Sequence, residues 1–292
     1  MATSDEPIGA ADAVPVPAPT DPRCATAVPT EPPAEPPTAP AEAQAAAAPP
    51  ARLGSARQPR RIDEEPAFLL HAVPYRETSL VLDLFTRNHG RVGAVARGAK
   101  RPRSKLRAVL LAFQPLQVSW SGASELRTLV GAEWVGGLPV PQGDALLCGF
   151  YLNELLRRLL AREDAHPALF DGYVEALARL GRGEPPEPAL RRFEWLLLRE
   201  SGFGADLRRD AAGLPIEADA RYAFRPGAGF VAVGAAHEAD CRGATLLALA
   251  EGRFDSADAQ GEAKQLSRTI LNQQLDGQSL ATRQILIDLQ RL

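Results

Sequence analysis

The chain has 292 residues, a formal net charge of -3, 26 prolines and three cysteines. No window approaches the roughly 18 uninterrupted apolar residues of a membrane span, and the start lacks the features of a secretory signal, so a cytoplasmic protein is expected. Cys24, Cys148 and Cys241 lie far apart without a CxxC, and the four histidines show no ligand spacing, which argues against a disulfide framework or a cysteine-rich zinc site.

The first fifty residues hold 13 of the prolines, an alanine run and no aromatic residue. Such a segment has too little apolar surface to offset the entropy of ordering, so residues 1–61 are expected to be a disordered Pro/Ala-rich tail. Seven carboxylates against Arg23 give the first fifty residues a charge of -6, leaving +3 on the remaining 242.

Structure is expected from Ile62. Runs rich in Val, Leu, Thr and aromatics at 67–75, 78–86, 91–98, 115–121 and 126–135 read as five short strands, separated by breakers such as Asn88, Gly90, Pro102 and Gly122. Five strands in this span predict an oligonucleotide/oligosaccharide-binding (OB-fold) barrel over 62–138. Trp120 shares parity with Leu116 and Val118, which favours the core over a stacking platform. Phe68, Phe85 and Phe113 are ambiguous.

Beyond Pro139 the period changes. Residues 144–162, with Asp144 as a candidate cap and Cys148 as a buried thiol, then 167–181 and 187–204, carry apolar residues at helical spacing and predict a three-helix packing unit. The last two open with proline and close on glycine, as helix termini favour. A glycine- and proline-punctuated segment, 205–243, holds a hairpin candidate, and further helical patterns follow. The fold class is therefore α+β, with the barrel followed by a helical domain over 139–292.

Between Asp83 and Glu125 there is no carboxylate, while Arg87, Arg91, Arg97, Lys100, Arg101, Arg103, Lys105 and Arg107 accumulate. A solvated surface is one reading of such a run. Nucleic-acid binding is the other, because charges without internal partners repel one another unless an external polyanion neutralises them. Arg91 and Arg97 share strand parity, with Gly93 leaving room for a backbone to approach. Pro102 keeps Lys100, Arg101 and Arg103 in a loop. A phosphate-binding loop fails on spacing, since Ala99 precedes and Arg101 follows Lys100. The predicted nucleic-acid contacts, which the resemblance described below makes DNA contacts, are Arg91, Arg97, Lys100, Arg101, Arg103, Lys105 and Arg107, with no catalytic residue, metal or cofactor. An RNA-binding barrel and a protein-interaction adaptor are the alternatives.

The stretch "AFLLHAVPYRETSLVLDLFTRNHGRVGAVARGAKRPRSKLRAVLLAFQPL", followed by "YLNELLRRLL" and "PEPALRRFEWLLLRESGFG", resembles the RecO family of bacterial recombination mediators. The resemblance implies a nucleoid-associated DNA repair protein that binds single- and double-stranded DNA and anneals complementary strands. It further implies help in loading the RecA recombinase, with RecR and single-stranded DNA-binding protein as partners and no nucleotide hydrolysis. Many similar proteins carry four zinc-binding cysteines in the segment matching 205–243; here only Cys241 is present, so a metal-free, degenerate form of that segment is expected. The family also binds the acidic, aromatic-ended tail of single-stranded DNA-binding protein, for which Arg191, Arg192, Phe193 and Trp195 are the matching positions. Equally, Phe193, Leu196 and Leu197 could face the core with the arginines merely solvated.

Overall fold

A computed structural model describes residues 61–234, 237–253, 257–275 and 277–289. The expected tail lies, Arg61 excepted, outside the described residues.

Alternating sequence builds the barrel. Strands β1 (Arg61–Tyr75), β2 (Ser79–Thr86) and β3 (Gly90–Ala96) precede a short helix, α1 (Lys105–Val109), and strands β4 (Pro115–Ser121) and β5 (Leu126–Trp134). They close in the order β1-β2-β3-β5-β4, antiparallel except for β3 beside β5, which is an OB-fold barrel. The long β1 serves two neighbours, pairing with β4 through Phe68 and with β2 from Ala67 onward. Register shifts after Ile62 and after Leu69 bend it from one to the other. Alternate residues point inward, so Leu82, Leu84, Val92, Leu116, Val118 and Trp120 fill the core. Trp120 is therefore a core residue.

The helical period takes over at α2 (Asp144–Leu159), α3 (Pro167–Gly181) and α4 (Pro186–Glu200), which pack on one another. Leu152, Leu155, Tyr173, Leu177, Phe193 and Leu197 meet in their core, with Cys148 as a buried thiol whose pKa burial raises. Asp144 does not cap α2: Gly143 holds the cap position at φ +57, and Asp144 sits in the first turn, where its charge still faces the positive end of the helix dipole.

A small sheet follows, β6 (Arg221–Arg225), β7 (Gly229–Val233) and β8 (Cys241–Arg242), in the order β7-β6-β8. Helices α5 (Gly243–Glu251), α6 (Ala257–Gln274) and α7 (Ala281–Leu289) complete the chain. Rings hold this sheet: Phe230 packs edge-on to Phe224 at 5.6 Å and stacks on Trp195 of α4 at 6.1 Å, while Asp240 Oδ2 accepts from the Phe224 amide at 2.7 Å. The donor set does not fit a zinc ion. Cys241 is buried with its pKa pushed up to about 12 by burial, and among the described residues no group of three His, Cys, Asp or Glu is placed to hold a metal.

A second core, separate from the barrel interior, joins the outer face of the barrel to the helices. Phe68 and Phe85 project from β1 and β2 onto Phe170 and Tyr173 of α3, with ring centroids 5.1 to 5.9 Å apart, and Phe113 meets Phe150 of α2 at 4.9 Å. Gly149 permits that last contact, because a Cβ there would lie 2.9 Å from the Phe113 ring. Each aromatic pair adds about 0.5–1.5 kcal/mol beyond its area burial. The three phenylalanines left ambiguous by sequence are thus committed to the seam.

Candidate nucleic-acid interface

Beyond Ala96 the chain leaves the barrel wall through a series of tight turns. The Lys100 amide donates to the Thr78 carbonyl at 2.9 Å, tying the segment to the β1–β2 turn, and the Arg101 and Ser104 amides donate to the Gly98 and Arg101 carbonyls at 3.1 and 3.0 Å. Apolar residues alternate with the cations and pin them. Ala99 and Leu110 are buried in the barrel core, and Leu106 and Val109 pack against it from α1. That spacing, i, i+3 and i+4 from Leu106, turns Lys105 and Arg107 outward.

Arg97, Lys100, Arg101, Arg103, Lys105 and Arg107 are all exposed. Among the described residues, none of the six makes an ion pair. The segment is therefore a rigidly anchored rim of positive charge without internal compensation, the arrangement that attracts a polyanion.

The rim borders an open sheet face. Directly paired residues point to the same side of a sheet, so Val73, Val81, Val95 and Thr128 form one row across β1, β2, β3 and β5. All four are at least partly exposed. The next row begins with Tyr75, opposite Ser79, and leads towards Arg97 at the end of β3. Arg76 follows at φ +51, its guanidinium 5.2 Å from the centre of the Tyr75 ring. Tyr75 reads in the sequence as the last residue of a strand and Arg76 as the turn after it, so neither stands out there as a site. The signal was available in the shared parity of Val73 and Tyr75 at the entrance to a turn.

Arg91 does not belong to this surface. It is 8% exposed, with Nε and Nη2 each 3.2 Å from an Asp83 carboxylate oxygen. Its Nη1 donates to the carbonyls of Arg157 and Leu160, the latter at 2.8 Å, at the end of α2. A cation there complements the negative end of the helix dipole. Arg91 does point out of the barrel, as its parity with Arg97 predicts, but outward at this level of β3 means into the connection between α2 and α3. That connection also occupies the space beside the glycines. A Cβ on Gly90, at φ +65, would lie 2.0 Å from the Asp164 carbonyl oxygen, and one on Gly93 would lie 2.8 Å from Arg162 Nη1. The room expected beside Gly93 for a nucleic-acid backbone is filled by the protein itself.

In the helical domain, the four predicted partner residues separate. Arg191 is buried and pairs with Glu194 at 2.6 Å, inside a core that also buries Phe193 and Trp195. Burial raises the pKa of the fully enclosed Glu194 carboxyl, against the opposing pull of Arg191 and of hydrogen bonds from Tyr151 and Ser267. Arg191, Phe193 and Trp195 therefore act in packing. Arg192 reaches the surface, where its Nε donates to the Gly252 carbonyl at 2.9 Å. It stands at the rim of a groove of about 740 Å³ with Arg199 and Arg208, over a floor that includes Leu196, Leu207 and Leu249, and an edge of the mostly buried Trp195 lines the groove beside it. Glu175, Asp206 and Glu251 reach the same groove, with Glu175 Oε1 3.8 Å from Arg192 Nη1.

Comparison with known proteins places this architecture. A family model described as "Recombination protein O N terminal" matches residues 62–138, and one described as "Recombination protein O C terminal" matches residues 141–284. A protein of Burkholderia pseudomallei (strain 1710b) named "DNA repair protein RecO" is 54% identical over 254 residues, covering 85% of this chain and 92% of that one. Proteins of the same name from Ralstonia nicotianae and Aromatoleum aromaticum are 49% and 51% identical, covering 85% and 80% of this chain and 92% and 99% of their own lengths. With both halves matched in order and about half of all aligned positions identical, the chain belongs to the RecO family.

Proposed function

We propose that this protein is a DNA-binding recombination and repair mediator that holds single strands by their phosphates and anneals complementary strands without hydrolysing nucleotide. The observation that carries this reading is the pinned rim of six exposed cations with no ion-pair partner among the described residues. Its family membership supplies the repair context. The scarcity of exposed rings on the barrel argues for annealing in particular: Phe68, Phe85, Phe113 and Trp120 are buried and only Tyr75 and Trp134 are exposed among its described Phe, Tyr and Trp residues, so affinity rests mostly on phosphates and most bases stay free to pair.

The reading is tested by following annealing of two complementary oligonucleotides, without ATP, at rising salt. Annealing should weaken in parallel with single-strand affinity. Annealing that persists after binding has been screened away contradicts the mechanism. A preference for structured RNA would favour the RNA-binding alternative.

A second role is supported by the groove at Arg192. Guanidinium groups above an apolar floor suit an acidic peptide that ends in an aromatic residue, the chemistry of the single-stranded DNA-binding protein tail. In this reading Arg192, Arg199 and Arg208 meet the carboxylates, in place of the buried Arg191. Release of DNA from that protein, and onward loading of RecA with RecR, would then follow from holding tail and strand on one molecule. An adaptor that uses the groove alone would keep peptide binding and show no DNA binding.

A further inference from the structure

We infer that Tyr75 is a stacking post for one unpaired base, placed where a strand held by the basic rim crosses the β1–β2 turn. The inference deepens the DNA-binding reading and rests on it.

Three observations converge on this ring. Tyr75 is 37% exposed, whereas the phenylalanines of the barrel and Trp120 are buried. Its turn is joined to the rim by the hydrogen bond from the Lys100 amide to the Thr78 carbonyl, so ring and cations are held in fixed relation. The Arg76 guanidinium rests against the ring at 5.2 Å. A cation on one face orients the ring and leaves the opposite face for a base.

Arg76 is followed by Glu77, which makes the turn electrically balanced. What the turn adds to the rim is therefore an aromatic surface, not charge. Trp134 is also exposed, but it pairs with Leu116, which is level with Ala67, eight residues back along β1 from Tyr75. Its distance from the Arg97 turn makes it the poorer neighbour for phosphates. A duplex keeps its bases stacked inside, so a lone ring at this position engages single strands and not double strands.

The test uses a single-stranded oligonucleotide carrying the fluorescent base 2-aminopurine, whose emission is quenched by stacking, together with an unlabelled duplex. Tyr75→Phe should retain quenching and single-strand affinity. Tyr75→Leu should lose the quenching and about five- to a hundredfold of single-strand affinity, with duplex affinity unchanged. Trp134→Ala serves as a control that leaves both intact. Full quenching and affinity in Tyr75→Leu would overturn the inference, provided the Lys100, Arg101, Arg103 and Lys105 to Glu variant has lost DNA. If that quadruple variant also binds normally, the DNA-binding reading falls, and the stacking role with it.

Discussion

Arg91 grips Asp83 with both ends of its guanidinium, Nε to Oδ1 and Nη2 to Oδ2 at 3.2 Å each, inside the seam between the barrel and the helices. Arg157 approaches the same carboxylate at 3.5 Å. Removing Arg91 would strip the carboxylate of its closest partner and the last carbonyls of α2 of a donor. Arg91→Ala should therefore lower the unfolding free energy by about 3–5 kcal/mol, as breaking a buried pair does, when measured by urea denaturation. Lysine should restore only part of this, because a single ammonium cannot span the carboxylate and two carbonyls.

The rim should behave oppositely. Arg97, Lys100, Arg101, Arg103, Lys105 and Arg107 make no ion pair among the described residues, so alanine at any of them should leave stability within about 0.5 kcal/mol. Single-strand affinity should lose about 0.7 from the magnitude of its logarithmic salt slope per contact removed. Anisotropy titrations at several salt concentrations read this directly; slopes unchanged in all six variants would place the phosphates elsewhere.

Glu154 ties the last helix to α2. Its carboxylate accepts from the Ala281 and Thr282 amides at 2.9 Å each and from the Thr282 hydroxyl at 2.7 Å. Burial pushes its pKa up, but the hydrogen bonds from Thr282 and Ala281 and the charge of Arg158 outweigh that and hold it below its ordinary value of 4.5. A carboxyl whose folded pKa is depressed contributes stability above its unfolded pKa and loses it as pH falls through the folded value. The stability gap between wild type and Glu154→Gln should be about 1–3 kcal/mol near pH 7 and shrink as pH is taken down through the acid range below the ordinary value. A gap that is constant with pH would mean the charge contributes nothing.

Neighbouring arginines of α4 should separate in the same way. Arg191 partners the fully buried Glu194, so Arg191→Ala should destabilise the fold by about 3–5 kcal/mol. Arg192→Ala should leave the fold intact and weaken binding of an acidic, aromatic-ended peptide, most strongly when combined with Arg199→Ala and Arg208→Ala. Calorimetric titration of the peptide distinguishes the two; equal losses from folded Arg191 and Arg192 variants would contradict the burial seen here.

The elements were legible because period decides them: alternation from β1 to β5 and helical spacing from α2 onward each bury one set of side chains. Parity was less informative about the site. It says which residues share a face and nothing of what covers the face, which is why Arg91 and Arg97 have different fates despite equal parity. The connection between α2 and α3, distant in sequence, lies on β3 at Gly90 and Gly93 but stops short of Arg97. The burial of Arg191 could have been read, since Trp195 and Leu198 follow at i+4 and i+7 on one helix face and Glu194 supplies the counter-charge at i+3. The family resemblance places Arg191 beside Arg192 at a carboxylate site, and the alternative core reading leaves both arginines solvated; neither uses that spacing. Tyr75 was hidden for a further reason: a strand pattern shows where a ring points, and only the closed barrel shows that its turn abuts the basic rim.

The most direct test exchanges Lys100, Arg101, Arg103 and Lys105 together for glutamate and measures single-strand binding at near-physiological salt alongside a thermal melt. An unchanged melting temperature with binding lost is the predicted result. Wild-type affinity in the folded quadruple variant would contradict the assignment of this rim to DNA.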